Sequence, residues 1–291
     1  MNKPYDWQRQ EDFPLDVTTD ESSITLLDKM RRFGAIKLLT TMAVSASLIG
    51  SGETANADTI PAPKGGPSGQ VGLSDGFKTT EWAYANAYTQ VRNWPTANSK
   101  KHFPLRILAP DGDPEVYIVR STWRDSNGVD WARIRIPDGV RSKEGWVTRN
   151  SLGNFGVSHD EIRINREKYI LTMYKDGKPV IHAPVGIGRP SLPTPAGHFW
   201  VRSRLHNDES GSFKLFGNTI PNSVYGPEII MTSVNASGTT DWPGGGTMGI
   251  HGTNEPWLVP GRPSHGCVRV TNDNIRRIYP LASTGTPIDI K

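Results

Sequence analysis

The stretch from 251 to 269 opens with His251-Gly252-Thr253 and closes with Ser264-His265-Gly266-Cys267-Val268-Arg269, and the rest of the chain is interpreted outward from it. Cys267 is the single cysteine among 291 residues. A lone thiol cannot close an intramolecular disulfide, so its presence needs another reason. The bland reason is a buried cysteine acting as a small hydrophobe. The sharp one is a nucleophile, and the neighbours of Cys267 favour it. A free thiol, with a pKa near ~8.5, is mostly protonated at neutral pH and needs a base or a positive charge close by.

Two histidines offer that base. His265 and Cys267 are two residues apart, so in an extended segment their side chains face the same side. His251 precedes the thiol by sixteen positions, room for a strand end and a loop that fold back on it. His251 is therefore assigned as general base, with His265 beside the thiolate to shape the site. The backbone amides of Gly266 and Cys267 are the candidate oxyanion donors that acyl transfer requires. A base also needs a group to hold its tautomer. Gly252 has no side chain, which leaves its carbonyl to accept the imidazole N–H.

At these residues the window resembles the signature of L,D-transpeptidases of the YkuD family, a His-Gly followed by Ser-His-Gly-Cys-Val-Arg. The resemblance extends upstream to Val185-Gly186-Ile187-Gly188, to Pro193-Thr194-Pro195-Ala196-Gly197 and to Tyr225-Gly226-Pro227, so it covers residues 161–291. It implies a β-sandwich of two mixed sheets. Carried over, Cys267 matches the family nucleophile and His251 its base. Ser264, His265 and Gly266 complete the signature, and Arg269 stands two positions beyond the nucleophile. Some members place Ser where this chain has Gly252; members with Gly use its carbonyl. The implied reaction is attack on the peptide carbonyl before the terminal D-alanine of a peptidoglycan tetrapeptide stem, with release of D-alanine. An amine of a neighbouring stem then resolves the thioester, or water does so in an L,D-carboxypeptidase. The resemblance implies no cofactor and no metal, and makes peptidoglycan stem peptides the partner and carbapenems the expected inhibitors. Among candidate substrate contacts, Ser264 belongs to the signature itself. Arg269 either binds a stem carboxylate or braces its loop through backbone carbonyls, and bracing is favoured. Tyr225 either lines the donor pocket or packs in the core.

Outward from this window the chain is mainly β. The runs 169–174 and 180–185 flank Lys175-Asp176-Gly177-Lys178, a strong hairpin signal. Further strands are expected at 197–202, 229–232, 248–251 and 287–290, and one helix at 273–281 capped by Asn272. Trp242 and Gly244-Gly245-Gly246 form either a lid over the cleft or a plain connection. Between 82 and 153, short alternating runs separated by turn clusters predict a small barrel or sandwich. There Val91-Arg92, Trp131 and Gly145-Trp146-Val147 ahead of Leu152 resemble the bacterial SH3-like domains of wall enzymes. That resemblance implies either substrate targeting or a packing partner. The Pro- and Gly-rich residues 58–81 are expected to be a linker.

The N-terminal residues 1–57 are expected to be an extension and secretory signal. Phe33 to Gly50 is mostly apolar, follows Arg31-Arg32, and is followed by Ala55-Asn56-Ala57, a small-x-small cleavage pattern. A start at Met30 would supply the basic n-region that the acidic residues before it do not. The expected location is therefore outside the cytoplasm, at the cell wall or in the periplasm, membrane-anchored if the signal is uncleaved. The formal net charge of +4 allows an anionic partner. The basic residues are scattered rather than clustered with aromatics, which argues against nucleic acid. No obligate protein partner is evident. A zinc site of His251, His265 and Cys267 lacks a fourth ligand at a recognisable spacing. NlpC/P60-type hydrolases place Cys before His, and here no histidine follows Cys267. A non-catalytic wall-binding protein is the alternative from another class.

Overall fold

The structure, a computed structural model, describes residues 60–109, 112–137, 143–207, 211–215, 218–221, 224–235 and 246–291. The expected extension and signal, and Trp242 with Gly244 and Gly245, lie outside the described residues. Among the described residues no helix is long and apolar enough to cross a membrane.

The first sheet is formed by β1 (Val71–Gly72), β2 (Thr80–Tyr84), β3 (Thr89–Arg92), β4 (Lys101–Leu105), β5 (Val116–Arg124), β6 (Asp130–Ile136), β7 (Lys143–Thr148) and β8 (Gly156–Ser158). Its order is β4-β3-β7-β6-β5-β2-β8, with β1 paired to the far end of β5. On β6, Ala132, Ile134 and Ile136 enter the core while Arg133 and Arg135 alternate to the other face, the period-two pattern of a strand covered on one side. β5 departs from that pattern because both of its faces are covered. Tyr117 and Val119 pack into the first sheet's own core, whereas Val116 and Ile118 pack with Trp200 and Trp82. A continuous apolar run such as Val116-Tyr117-Ile118-Val119 is what double-sided burial selects.

β1 lies inside the segment expected to be a linker. Polar links anchor that segment: Ser121 Oγ donates to Gln70 Oε1 (2.8 Å), Arg133 to Lys64 O (2.8 Å) and Arg120 to Ser74 O (2.8 Å). Ser74 Oγ reaches Val119 O, and Leu73 packs against the core. The segment is attached mainly through main-chain carbonyls, which composition does not reveal.

One residue, His159, separates β8 from β9 (Asp160–Asn165) and the second part of the chain. The remaining strands are β10 (Ile170–Lys175), β11 (Lys178–Pro184), β12 (Gly186–Gly188), β13 (Gly197–His206), β14 (Ser212–Leu215), β15 (Asn218–Pro221), β16 (Glu228–Asn235), β17 (Thr247–His251), β18 (Gly261–Ser264), β19 (Val268–Arg269) and β20 (Pro287–Ile290). β14 and β15 pair only with each other; the rest follow the order β11-β10-β9-β20-β13-β16-β17-β19-β12-β18. β13 belongs to two layers. Its first half pairs with β20, its second half with β16, and the register shifts between Val201 and Ser203. Both layers are mixed, with β20–β9 parallel in one and β17–β19 and β12–β18 parallel in the other. One core lies between them, to which Ile162, Leu171 and Met173 contribute from one side and Ile230, Ile250 and Val268 from the other. The fold is the expected mainly β architecture, with the second part a sandwich of two mixed layers.

Local readings hold in most places. Asp176 and Gly177 both have positive φ (49° and 73°), the mark of a type I′ turn, and Lys175 pairs with Lys178. The helix α1 runs Asn272–Ile278, shorter than expected, and its cap is Thr271 rather than Asn272. Both residue types cap well. Here Thr271 holds the extended conformation, and Asn272 is released for another contact described below.

The two parts of the chain meet through side chains from distant positions. Trp200, 1% exposed, donates from Nε1 to Val116 O at 2.9 Å, and Ser158 and Thr286 hydroxyls are 3.1 Å apart. Trp82 fills the space where a side chain at Gly285 would stand. Replacing Trp200 by Ala should cost about 3–5 kcal/mol through the cavity it leaves. Urea unfolding of wild type and Trp200→Ala, followed by circular dichroism, measures this. Because Trp200 joins the first sheet to the sandwich, wild type is expected to unfold in one transition and the variant in two.

Candidate active site

β17 ends at His251, and β19 begins one residue after Cys267. The two strands run parallel, with Ile250 opposite Val268 and His251 opposite Arg269. This register brings the residues before Val268 alongside Gly249 and Ile250. The sixteen-residue separation is closed by a 3-10 turn (Pro256–Leu258) and by β18, which returns the chain along β12.

Tyr225, His251, Ser264, His265, Cys267 and Arg269 line one open cleft, with Met248 and Val224 among the apolar lining. All the side chains singled out from the sequence are thus brought together. Gly252 and Gly266 stand behind them. Among the described residues, no group of three or more His, Cys, Asp or Glu side chains is placed to hold a metal ion.

His251 is 2% exposed, and its Nδ1 lies 2.6 Å from Gly252 O. A carbonyl only accepts, so Nδ1 carries the proton and Nε2 is left with a free lone pair. The ring of Tyr225 meets the imidazole at 4.9 Å between centroids and 71° between planes. Burial drives the imidazole pKa down to about 4; the Gly252 carbonyl opposes this, and the Arg269 charge adds to it. Cys267 remains partly exposed. Enclosure by protein on its other sides pushes the thiol up, offset in part by hydrogen bonding from the Gly249 backbone, the Arg269 charge and its own amide. At neutral pH the resting pair is therefore a neutral imidazole and a neutral thiol.

The turn that carries the thiol is held from within. Ser264 Oγ donates to Cys267 O (2.6 Å) and accepts from Gly266 N–H (3.1 Å). Gly266 O accepts from Thr194 Oγ1 (2.6 Å), which itself accepts from Gly188 N–H (2.9 Å). Gly266 has φ of +128°, and a side chain there would collide with Met248. Two expectations change. Ser264, expected to touch substrate, has its hydroxyl engaged in the turn and is 2% exposed. The Gly266 amide, expected as an oxyanion donor, is engaged by Ser264, which leaves the Cys267 amide from the pair that was named. Arg269 differs as well: instead of bracing backbone carbonyls, its Nη1 meets Glu255 Oε2 at 2.9 Å. Tyr225 is both core and cleft wall, since its other side packs edge-on against Phe213.

Sequence reasoning missed Thr194, Glu255 and Asn272 as parts of the site. Asn272 Oδ1 accepts from Thr253 N–H (2.9 Å), which fixes the chain just beyond His251. That oxygen occupies the space a Cβ on Gly252 would need, and Gly226 Cα and Tyr225 O would each be 3.1 Å away. The signal for Gly252 was present in the sequence, but its steric reason was not.

A Gly252→Ala change must displace Asn272 or the carbonyl that orients His251. It should destabilise by about 1–3 kcal/mol, as overpacking does, and reduce the rate of Cys267 acylation at least about tenfold. Urea titration and stopped-flow acylation measure the two effects. The low imidazole pKa also links stability to pH. The unfolded chain takes up a proton near ~6.5 that the native ring refuses until about 4, so this contribution is complete above pH ~6.5 and lost as pH falls toward 4. Between pH 7 and 4.5 wild type should lose roughly 2–3 kcal/mol more than His251→Asn in urea unfolding. Equal losses would contradict a buried neutral ring.

Comparison with known proteins finds a family match for the second part of the chain. Residues 159–290 match the family model described as YkuD, the L,D-transpeptidase catalytic domain. The probable L,D-transpeptidase YbiS of Escherichia coli K12 is 26% identical over 268 residues, covering 87% of this chain and 75% of that protein. L,D-transpeptidase 1 of Mycobacterium tuberculosis H37Rv is 23% identical over 180 residues, covering 58% of this chain and 64% of that one. Among solved structures, the catalytic domain of the E. faecium L,D-transpeptidase acylated by ertapenem is 22% identical, covers 45% of this chain and 96% of its own, and has a TM-score of 0.32. Residues 159–290 of the chain thus carry a YkuD L,D-transpeptidase catalytic domain.

Proposed function

We propose that the chain is an exported cysteine acyltransferase that cross-links peptidoglycan stems, with Cys267 as nucleophile and His251 as base. The observation that carries this reading is the 2.6 Å contact of His251 Nδ1 with Gly252 O, which leaves Nε2 basic in the cleft that contains the only cysteine. Nε2 takes the thiol proton as sulfur attacks the carbonyl before the terminal D-alanine of a stem tetrapeptide. The Cys267 amide is the donor assigned to the resulting oxyanion. Collapse of the tetrahedral adduct breaks the peptide bond, and the imidazolium returns its proton to the departing D-alanine amine. A thioester remains. The amine of a neighbouring stem, deprotonated by the same ring, attacks it and restores the thiol. Water in place of the amine gives carboxypeptidase chemistry, and the partial exposure of Cys267 supports that competition. All steps use groups of this chain and its substrates.

In this reading the strained carbonyl of a carbapenem acylates the same sulfur. The apolar run at 33–50 with Ala55-Asn56-Ala57 supports export, since the substrate is outside the cytoplasm. The first sheet is taken as the SH3-like part. Its attachment through Trp200 supports a packing role for it.

Mass spectrometry of purified muropeptides incubated with wild type, Cys267→Ala and His251→Ala is the direct test. Wild type should release D-alanine and form cross-links between third residues of the stems, Cys267→Ala should form none, and His251→Ala should be slowed at least about a hundredfold. Equal product from wild type and Cys267→Ala would reject the assignment.

A further inference from the structure

Arg269 is the one cation placed in the cleft wall by backbone register, opposite both His251 and Gly186, among the described residues. Its side chain is 13% exposed, and its Nε has no hydrogen-bond partner among the described residues. Its charge acts on Cys267, Tyr225 and His251 alike. The guanidinium offers five donors in a planar fork. One of them, Nη1, is taken by Glu255.

Glu255 is held differently. Its backbone N–H donates to Thr253 Oγ1 (3.0 Å) and its carbonyl accepts from Leu258 N–H (3.1 Å), so the main chain is fixed at the start of the 3-10 turn. Its side chain is 40% exposed. A half-exposed ion pair is weakly held. The carboxylate can swing to water without breaking any backbone contact, whereas Arg269 cannot follow it. A bare, largely buried guanidinium is costly, so Glu255 leaves only when another carboxylate takes its place.

Resting on the acyl-transfer reading above, we infer that Glu255 is a specificity-determining residue. Its carboxylate keeps the place on Arg269 that a carboxylate of the acyl donor occupies on binding. An anionic donor exchanges one carboxylate for another and satisfies the fork. A neutral donor leaves Glu255 where it stands and gains nothing from Arg269. Selectivity for anionic over neutral donors is thus set by how firmly Glu255 holds.

The test uses two small electrophiles of similar size on the full chain, iodoacetate and iodoacetamide. Each forms an S–C bond at Cys267 and expels iodide, and the ratio of their rates reports anion recognition independently of thiol reactivity. Glu255→Gln should raise the iodoacetate-to-iodoacetamide ratio about 5-fold, and Arg269→Gln should lower it by a similar factor. Glu255→Asp separates occupancy from the general field, because its carboxylate stays nearby but is too short to reach Nη1. It should also raise the ratio, about 3-fold. An increase for Gln with none for Asp, or flat ratios in both, overturns the inference. Stem tetrapeptides with a free or an amidated terminus give the second readout: Glu255→Gln should lower KM for the free carboxylate and not for the amide. Predicted ratios with no stem turnover by wild type would reject the proposed function and leave the Glu255 assignment standing. Normal turnover with flat ratios would reject the Glu255 assignment alone.

Discussion

The hydrogen bond between His251 Nδ1 and the carbonyl of the next residue sets the terms for the rest of the structure. It fixes which ring nitrogen is basic, and it requires the chain to fold back on the imidazole immediately after β17. Only a residue without Cβ can do so here, because Asn272, Gly226 and the Tyr225 carbonyl close in on position 252. Asn272 is there because α1 begins with it, behind the Thr271 cap. α1 in turn is seated by Ile275 and Ile278 in the core between the two layers. The tautomer of one histidine is thus set by the packing of the whole sandwich.

Burial of that ring has an electrostatic consequence. With the imidazole at about 4 and the thiol pushed up, a resting ion pair is disfavoured. In the proposed mechanism, proton transfer is therefore driven by bond formation at sulfur. Arg269 acts on both members of the pair in the same direction. Its charge favours the thiolate and disfavours the imidazolium, so its two effects on the transfer oppose one another. The recognition role inferred for Arg269 rests instead on its geometry, a largely buried guanidinium paired with a half-exposed carboxylate.

What the sequence made legible was local or strongly periodic. The Asp176-Gly177 hairpin, the strands ending at His251 and Ile290, and the carbonyl role of Gly252 follow from neighbours in the chain. The contacts that were not legible join distant residues. Thr194 Oγ1 meets Gly266 O across 72 positions, and Trp200 meets Val116 O across 84. Residues 60–74 resemble a linker in composition, yet their carbonyls are held by Arg120 and Arg133. Backbone acceptors are the same for every residue type, so composition carries no trace of such attachment. Ser264 and Gly266 were assigned outward-facing roles for the related reason that a motif names residues without saying where their polar atoms point.

Those inward-facing roles explain how a cleft lined by strand ends and the loops between them is positioned for chemistry. Around the thiol, the hydroxyls of Ser264 and Thr194, both polar groups of Gly266, the Gly252 carbonyl and the Asn272 side-chain oxygen are engaged with one another or with the backbone. A wall whose polar atoms are already satisfied does not reorganise when substrate arrives, the condition under which fixed dipoles act most strongly on a developing charge. In the proposed reading the same economy leaves few groups to recognise the substrate: the Cys267 amide, the open face of the sulfur and the place on Arg269 that Glu255 holds. Under the proposed function, discrimination among acyl donors rests on a small number of atoms at the rim, while substitutions in the framework behind them act on geometry and only through it on rate.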